Sequence, residues 1–121
     1  MARILVVEDD IWSRRLVLEL LEYAGHEVLC ASCVSDGQAQ LNSVKFDVVL
    51  LDINIPGGGG ELLVREIREY NAGLPVIAFT ASAMAGDRER FLAAGFSGHV
   101  SKPIDVRTFA ETIERFIVAP T

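Results

Sequence analysis

Charged and hydroxylic side chains follow short apolar runs at four places in this chain. In chain order they are Glu8, Asp9, Asp10, Asp52, Thr80 and Lys102. Carboxylates crowded into one pocket repel each other, and a hard divalent cation removes that repulsion; Mg²⁺ is the usual intracellular ion of this kind. An aspartate held between such a cation and an ammonium suits attack on phosphorus, because both cations neutralise charge on the transferring phosphoryl oxygens.

The pattern assigns a separate role to each residue. Asp52 is placed to act as the nucleophile, Thr80 can donate a hydrogen bond to an oxyanion, and Lys102 adds positive charge. Each also has an ordinary explanation when taken alone, as a turn residue, a strand-end hydroxyl and a solvated lysine respectively. The acidic run at 8–10 is typical of a helix N-terminus, with Asp10 as the cap. Agreement among four strand ends favours the functional interpretation.

Hydrophobic periodicity predicts the elements that position these residues. Strands are expected at 3–7, 27–31, 48–51, 76–79 and 98–101, with Asp52 and Thr80 ending the third and fourth. Helices are expected at 11–23, closed by Gly25; from a cap at Ser35 to Val44; at 61–70, with Leu63, Ile67 and Tyr70 inward; at 87–94, stopped by Gly95; and at 105–118, with Val106, Phe109, Ile113 and Phe116 inward.

Alternating strands and helices with short connections predict an α/β fold, a parallel sheet with helices on both faces. Five strands fit a flavodoxin-like (βα)5 doubly wound sheet of order 2-1-3-4-5, whose functional crevice lies outside the carboxyl ends of the strands. The length of 121 residues favours a single domain at 1–121 with its core at about 3–118.

The composition of the chain argues against several classes of function. Half the residues are apolar and 23% are charged, which argues against disorder. The net charge of −6 argues against binding to nucleic acid or anionic lipid. No apolar run approaches the roughly 20 residues of a membrane span, and no signal peptide precedes the acidic run, so we expect a cytoplasmic protein.

Four motifs resemble the receiver domain of bacterial two-component response regulators, the CheY-like superfamily. They are ILVVEDD at 4–10, VLLDINIP at 49–56, FTA at 79–81 and SKP at 101–103. The segments 83–88 and 93–95 are similar to receivers of hybrid histidine kinases and to small single-domain regulators of the cell-cycle type. The likeness runs from Arg3 to about Phe116.

The resemblance implies a chemical role for each matched position. Asp52 would be the phosphoacceptor. Mg²⁺ would be bound by the Asp9 and Asp52 carboxylates, by Glu8 through water and by the Asn54 carbonyl. In the same way, the resemblance implies that Thr80 bonds the phosphoryl oxygen, that Lys102 pairs with the phosphate, and that a cis peptide joins Lys102 to Pro103.

The resemblance also implies partners. A histidine on a sensor kinase or a histidine phosphotransfer protein would supply the phosphoryl group. The phosphorylated domain would reorganise the loop after the fourth strand and change the surface of helix 4, strand 5 and helix 5. That change would regulate a downstream protein and could favour a dimer. We expect a signalling module that catalyses its own phosphorylation and dephosphorylation, rather than a turnover enzyme. A stand-alone regulator is preferred, with a receiver from a longer protein as the alternative.

Several positions depart from the family pattern. His99 stands where the family often has Tyr or Phe; it is either an exposed strand residue or a polar ring that can rotate and change charge. Glycines fill 57–60, predicting a mobile loop and lacking the Lys-Ser/Thr of a P-loop. Cys30 and Cys33 form a C-x-x-C for which packing or loop roles are favoured over redox or metal chemistry.

The start of the first helix carries an exposed aromatic and two cations. Trp12 lies just past the acidic run and is interpreted as a docking anchor, although an incidental surface position is the alternative. Arg14 and Arg15 would either steer an acidic partner or solvate the helix.

Three other functions compete with the receiver. An Asp-nucleophile phosphatase like the haloacid dehalogenase-type hydrolases would need an Asp two residues after its nucleophile, where this chain has Asn54. An unphosphorylated interaction module would not need the complete set of acids, Thr80 and Lys102. Flavin binding would need a Ser/Thr-rich phosphate loop after the first strand.

Overall fold

The computed structural model describes residues 1–55, 59–81 and 86–117. Within these ranges five strands alternate with five helices, as the periodicity predicts: β1 (Arg3–Val7), α1 (Ile11–Tyr23), β2 (Glu27–Ala31), α2 (Val34–Ser43), β3 (Val48–Asp52), α3 (Gly60–Tyr70), β4 (Val76–Thr80), α4 (Asp87–Ala94), β5 (Gly98–Ser101) and α5 (Phe109–Glu114). None of the described helices is long and apolar enough to cross a membrane.

The described strands form one parallel sheet in the order β2-β1-β3-β4-β5, which confirms the predicted fold class and topology. The central strands β3 and β4 are buried at every residue, because helices cover both faces of the sheet. Strands β2 and β5 are less buried, since they lie at the two edges. The functional crevice is therefore expected where β1, β3, β4 and β5 end.

Side chains of the sheet alternate between two core clusters. The first cluster lies under α1 and α5 and includes Val6, Leu50, Phe79, Val17, Phe109 and Ile113. The second lies under α2, α3 and α4 and includes Val7, Leu51, Ala78, Leu63, Ile67 and Phe91. Glu8 and Asp52 follow Val6 and Leu50 by two residues, so the same alternation places them on the α1/α5 face of the sheet.

Three helix ends follow the sequence signals. The Asp10 carboxylate accepts a 2.9 Å hydrogen bond from the Ser13 amide and caps α1. Gly25 and Gly95 follow α1 and α4 with φ angles of +96° and +109°, a conformation that favours glycine. These caps fix where the connections to β2 and β5 begin.

The predicted start of α2 is wrong. The helix is capped by Cys33 rather than Ser35, because the backbone of Cys33 is extended and its carbonyl accepts the Gly37 amide at 3.1 Å. Gly37 weakened the helical signal in the sequence, but it is buried against β1. A Cβ there would lie 3.1 Å from Cγ2 of Val7, so the glycine permits the close approach of α2 to the sheet.

Helix α3 begins at Gly60, one residue before the predicted start, after Gly59 with φ +90°. The rest of the predicted glycine loop, residues 57 and 58 with Pro56 before them, lies outside the described residues. Tyr70 does not face inward as predicted: it is 60% exposed, because Leu63, Val64 and Ile67 already form the buried face of this helix.

Helix α5 is shorter than predicted. The Asp105 carboxylate accepts a hydrogen bond from the Arg107 amide at 3.0 Å, and its carbonyl accepts one from the Thr108 amide at 3.1 Å. These bonds form a non-helical turn where the first turn of the helix was predicted. Val106 is exposed in this turn, so its predicted inward position is wrong. The buried Phe109 and Ile113 and the half-buried Phe116 agree with the prediction, whereas Val118 lies outside the described residues.

Candidate functional site

The carboxyl ends of β1, β3 and β5 bring three charged side chains into contact. Nζ of Lys102 lies 2.6 Å from Oε1 of Glu8 and 3.3 Å from Oδ2 of Asp52. Both carboxylates are buried, with 0% and 4% of the residue surface exposed, whereas Lys102 is half-buried. One ammonium therefore serves two buried acids that are far apart in the chain.

Asp9 completes an acidic cluster with these two carboxylates. One oxygen from each of Glu8, Asp9 and Asp52 lies within 4.8 Å of the others, and Asp9 is exposed to solvent. Carboxylate oxygens from two strand ends are the donors that a hard divalent cation prefers, so the cluster fits a metal of this class. The Asn54 amide donates a 2.9 Å hydrogen bond to Oδ1 of Asp52, which holds that side chain in place.

The two buried acids differ in proton affinity. Burial, together with the neighbouring Asp52 carboxylate, raises the pKa of Glu8 to about 7. Burial also disfavours ionised Asp52, but hydrogen bonds from Glu8 and the Asn54 amide, with the Lys102 charge, keep the pKa of Asp52 below its ordinary value. For Lys102 the same two carboxylates outweigh burial and raise its pKa. Asp52 is thus the carboxylate that stays ionised.

Thr80 is fully buried at the end of β4, next to Ser101 in the register of β5. Ala78, two residues earlier in β4, belongs to the cluster under α2, α3 and α4. Because side chains alternate along a strand, Thr80 lies on the same face as Ala78 and on the opposite face of the sheet from Asp52. The Thr80 carbonyl accepts a 2.7 Å hydrogen bond from the Lys102 amide. Residues 82–85, which belong to the loop predicted to reorganise, lie outside the described residues.

Two contacts at the site were not anticipated from the sequence. The Phe79 ring lies 4.8 Å from Nζ of Lys102, and Arg14 donates hydrogen bonds to the carbonyls of Glu8 and Asp9 at 3.0 and 3.4 Å. The position of Phe79 could have been predicted from the alternation of side chains along the strand. This alternation puts Phe79 on the same face of the sheet as Asp52, its register partner. Nothing in the sequence indicates that Arg14 turns back to the β1–α1 loop. The peptide between Lys102 and Pro103 is cis, as the resemblance implied.

The remaining positions singled out in the sequence lie around the site. His99 is half-buried, with its ring 5.6 Å from that of Phe91 in α4, so it is not a freely exposed strand residue. Trp12 is 75% exposed at the start of α1. Cys30 and Cys33 are free: the first packs against the α1/α5 core, and the second begins α2 on the other face. Among the described residues they join no cluster of three or more potential metal ligands.

Fold and site together define an α/β domain with an acidic cluster and a lysine at the carboxyl edge of a five-stranded parallel sheet. The profile of the family described as "Response regulator receiver domain" matches residues 4–114. The chain belongs to this family. This result selects the receiver interpretation over the hydrolase and flavin-binding alternatives, and it identifies the chain as a domain homologous to receiver domains of sensor kinases and response regulators.

Individual relatives agree with this assignment. The polar-differentiation response regulator DivK of Brucella anthropi is 31% identical over 94% of this chain and 94% of its own length. The sensor protein GacS of Pseudomonas syringae pv. syringae is 36% identical over 92% of this chain, which spans 13% of that protein's length. The chemotaxis response regulator CheY4 of Vibrio cholerae superposes with a TM-score of 0.89 at 29% identity, over 96% of this chain and 98% of CheY4.

Proposed function

We propose that Asp52 accepts a phosphoryl group from a phosphorylated histidine, and that this modification is the signal the domain carries. The observation that supports this role is the contrast between two buried acids. Asp52 keeps a low pKa and lies within 3.3 Å of Lys102, whereas the pKa of Glu8 is raised. An ionised carboxylate beside an ammonium is the form that can attack phosphorus.

The transfer step balances without a further reactant. An Asp52 carboxylate oxygen forms a bond to phosphorus while the bond from phosphorus to the donor imidazole nitrogen breaks. The donor ring carries a proton on its other nitrogen, so the nitrogen that keeps the electron pair leaves as neutral imidazole. The product is a mixed anhydride, an aspartyl phosphate, with more negative charge than the carboxylate had. The ammonium of Lys102 is within reach of that charge.

Glu8, Asp9, Asp52 and the Asn54 carbonyl would hold Mg²⁺ in this proposal. The ion would supply neutralisation of charge on the acids and on the phosphoryl oxygens. The close approach of three carboxylate oxygens supports this assignment.

Thr80 and Lys102 would respond to the phosphoryl group once it is attached. We infer that the Thr80 hydroxyl bonds one phosphoryl oxygen and that Lys102 pairs with another. Movement of Thr80 would then pull the segment after β4 and change the surface formed by α4, β5 and α5. A downstream protein, or a second copy of the chain, would recognise this surface.

The signal would end when water attacks phosphorus. That step breaks the bond between phosphorus and the Asp52 oxygen, releases inorganic phosphate and restores the carboxylate. The domain would catalyse it with the same charged groups. Relatives that are sensor histidine kinases support a kinase or a phosphotransfer protein as the donor. We propose that the transfer takes place in the cytoplasm.

Intact-mass spectrometry after incubation with acetyl phosphate and Mg²⁺ tests the proposal. We expect one phosphoryl adduct on the wild-type protein and none on Asp52→Asn or after chelation of the metal. Phosphoramidate, whose P–N bond imitates phosphohistidine, extends the test to the proposed leaving group. A folded wild-type protein that gains no adduct from either donor, or from a set of phosphorylated histidine proteins, would overturn the assignment.

A further inference from the structure

We propose that Phe79 is a positioning residue whose ring holds the Lys102 ammonium at the phosphorylation site and connects it to α5; this inference rests on the proposed function. Phe79 has no reactive group, and the sequence suggests only a buried strand residue. Its surroundings indicate more than packing.

Phe79 lies next to both partners of the proposed reaction. It is the register partner of Asp52 on the neighbouring strand, and its carbonyl accepts the Ile53 amide at 3.2 Å. Its ring centre lies 4.8 Å from Nζ of Lys102, within the range of a cation–π contact. The ring is only 2% exposed, and Lys102 is 21% exposed, so water weakens the attraction little.

The ring supplies an attraction that a bound metal cannot remove. Among the described residues, the other partners of the Lys102 ammonium are the Glu8 and Asp52 carboxylates, and both belong to the acidic cluster. A divalent cation in that cluster neutralises the same oxygens and weakens their hold on the lysine. The Phe79 ring offers no ligand atom to a hard cation, so its contact with Lys102 persists. The ammonium thus stays near Asp52 while the carboxylates are occupied.

The same ring reaches the proposed output surface. Phe79 stacks on Phe109, the first residue of α5, with ring centres 6.3 Å apart and an angle of 30° between the planes. A shift of Lys102 toward a phosphoryl group changes what the Phe79 ring contacts, and Phe109 contacts the same ring. Phe79 therefore joins the charge state of the site to the position of α5.

Four proteins separate this role from simple packing: the wild type, Phe79→Leu, Phe79→Tyr and Phe46→Leu. Leucine keeps an apolar side chain but removes the π face, whereas tyrosine keeps that face. A neighbouring cavity of about 390 Å³, lined in part by Ser13, Phe79 and Ile104, leaves room for the added hydroxyl. Phe46 is a buried phenylalanine in the other core cluster, so Phe46→Leu matches the lost volume away from Lys102.

The first readout is the initial rate of metal-dependent phosphorylation by acetyl phosphate. A cation–π contact of ordinary strength corresponds to about a fivefold lower rate for Phe79→Leu. Phe79→Tyr and Phe46→Leu should react at the wild-type rate. Equal rates for the wild type and a folded Phe79→Leu, or an equal loss in Phe46→Leu, would overturn the positioning role.

The second readout does not depend on phosphorylation. The chain has two lysines, Lys45 and Lys102, so selective ¹³C labelling gives two resolvable ε-methylene signals. Ring current should shift the Lys102 signal upfield of the exposed Lys45 signal in the wild type and in Phe79→Tyr, with and without Mg²⁺. In Phe79→Leu this displacement should vanish.

The two readouts keep the two proposals apart. A wild-type protein that gains no phosphoryl group but shows the displaced Lys102 signal would overturn the proposed function and leave the Phe79 contact established. A signal unchanged by Phe79→Leu, or one that loses its displacement when Mg²⁺ is added to the wild type, would overturn the inference about Phe79.

Discussion

Oε1 of Glu8 accepts a 2.6 Å hydrogen bond from the ammonium of Lys102, 94 residues further along the chain. The link joins the end of β1 to the residue after β5, across the ends of β3 and β4. This strand order lets both side chains reach one point. The lysine provides positive charge that the buried acids need, and a metal bound by the same carboxylates would share this cluster with it.

The raised pKa of Glu8 predicts how stability depends on pH in the metal-free protein. Folded Glu8 keeps its proton to about pH 7, whereas the unfolded chain loses it near the ordinary value of 4.5. Unfolding therefore releases a proton between these values, and the free energy of unfolding falls by about 2 to 3 kcal/mol as the pH rises from 4.5 to 7. The low pKa of Asp52 affects stability only below its ordinary value of 3.8.

Urea unfolding at a series of pH values with a chelator present measures this effect. Glu8→Gln is the control, because it cannot ionise and should remove most of the slope. A wild-type protein as stable at pH 7.5 as at pH 5, or a slope unchanged in Glu8→Gln, would contradict the assignment of the proton.

Asp9→Asn should abolish stabilisation by Mg²⁺ without harming the fold. Asp9 is exposed and contributes one oxygen to the acidic cluster, so its loss removes a metal ligand but little packing. In thermal unfolding, millimolar Mg²⁺ should raise the Tm of the wild type and leave that of Asp9→Asn unchanged. Both proteins should unfold at similar temperatures with a chelator. A Tm increase of equal size in the variant would place the metal elsewhere.

Trp12→Ala should separate docking from chemistry. Trp12 is 75% exposed at the start of α1, near the acidic run but outside the contacts among the charged groups. We expect unchanged phosphorylation by acetyl phosphate and about tenfold slower transfer from a histidine phosphotransfer protein, since exposed tryptophans often dominate interfaces. Tyr23→Ala, at the far end of the same helix, should affect neither. Equal transfer rates for all three proteins would assign Trp12 to an incidental surface position.

Gly98→Ala should destabilise the edge of the sheet through one contact. A Cβ at this position would lie 2.5 Å from Cε1 of Phe116, which forces that ring to move and costs about 1 to 3 kcal/mol. Gly25→Ala has open space, so its cost of about 1 kcal/mol comes only from the positive φ. In urea unfolding, adding Phe116→Leu should reduce the cost of Gly98→Ala and leave that of Gly25→Ala unchanged. If it rescues neither, Phe116 is not the cause.

Much of the fold was predictable because its signals are local. Alternating short apolar runs and amphipathic segments give the parallel sheet, and the sheet brings Glu8, Asp52 and Lys102 to one edge. The predicted helix boundaries were wrong where a local hydrogen bond competes with the helical periodicity. The Asp105 turn shortens α5, and the extended backbone of Cys33, not the Ser35 side chain, begins α2.

The unpredicted part of the site depends on contacts between distant segments. The sequence indicates only that Phe79 is a strand residue. In the structure, the register places it beside Asp52, and the β5–α5 connection brings Lys102 over its ring. Arg14 looks like a solvated helix residue until the helix direction aims it at the Glu8 carbonyl. Such contacts depend on three-dimensional geometry, which residue types and spacing do not specify.

Reduction of the phosphorylated protein with borohydride identifies the residue that carries the phosphoryl group. Borohydride converts an aspartyl phosphate to homoserine, and peptide sequencing by mass spectrometry then locates the modified position. We expect homoserine at position 52, dependent on Mg²⁺, with none at Asp9 or Asp10. Homoserine at another aspartate, or a phosphoryl adduct that borohydride leaves unchanged, would contradict it.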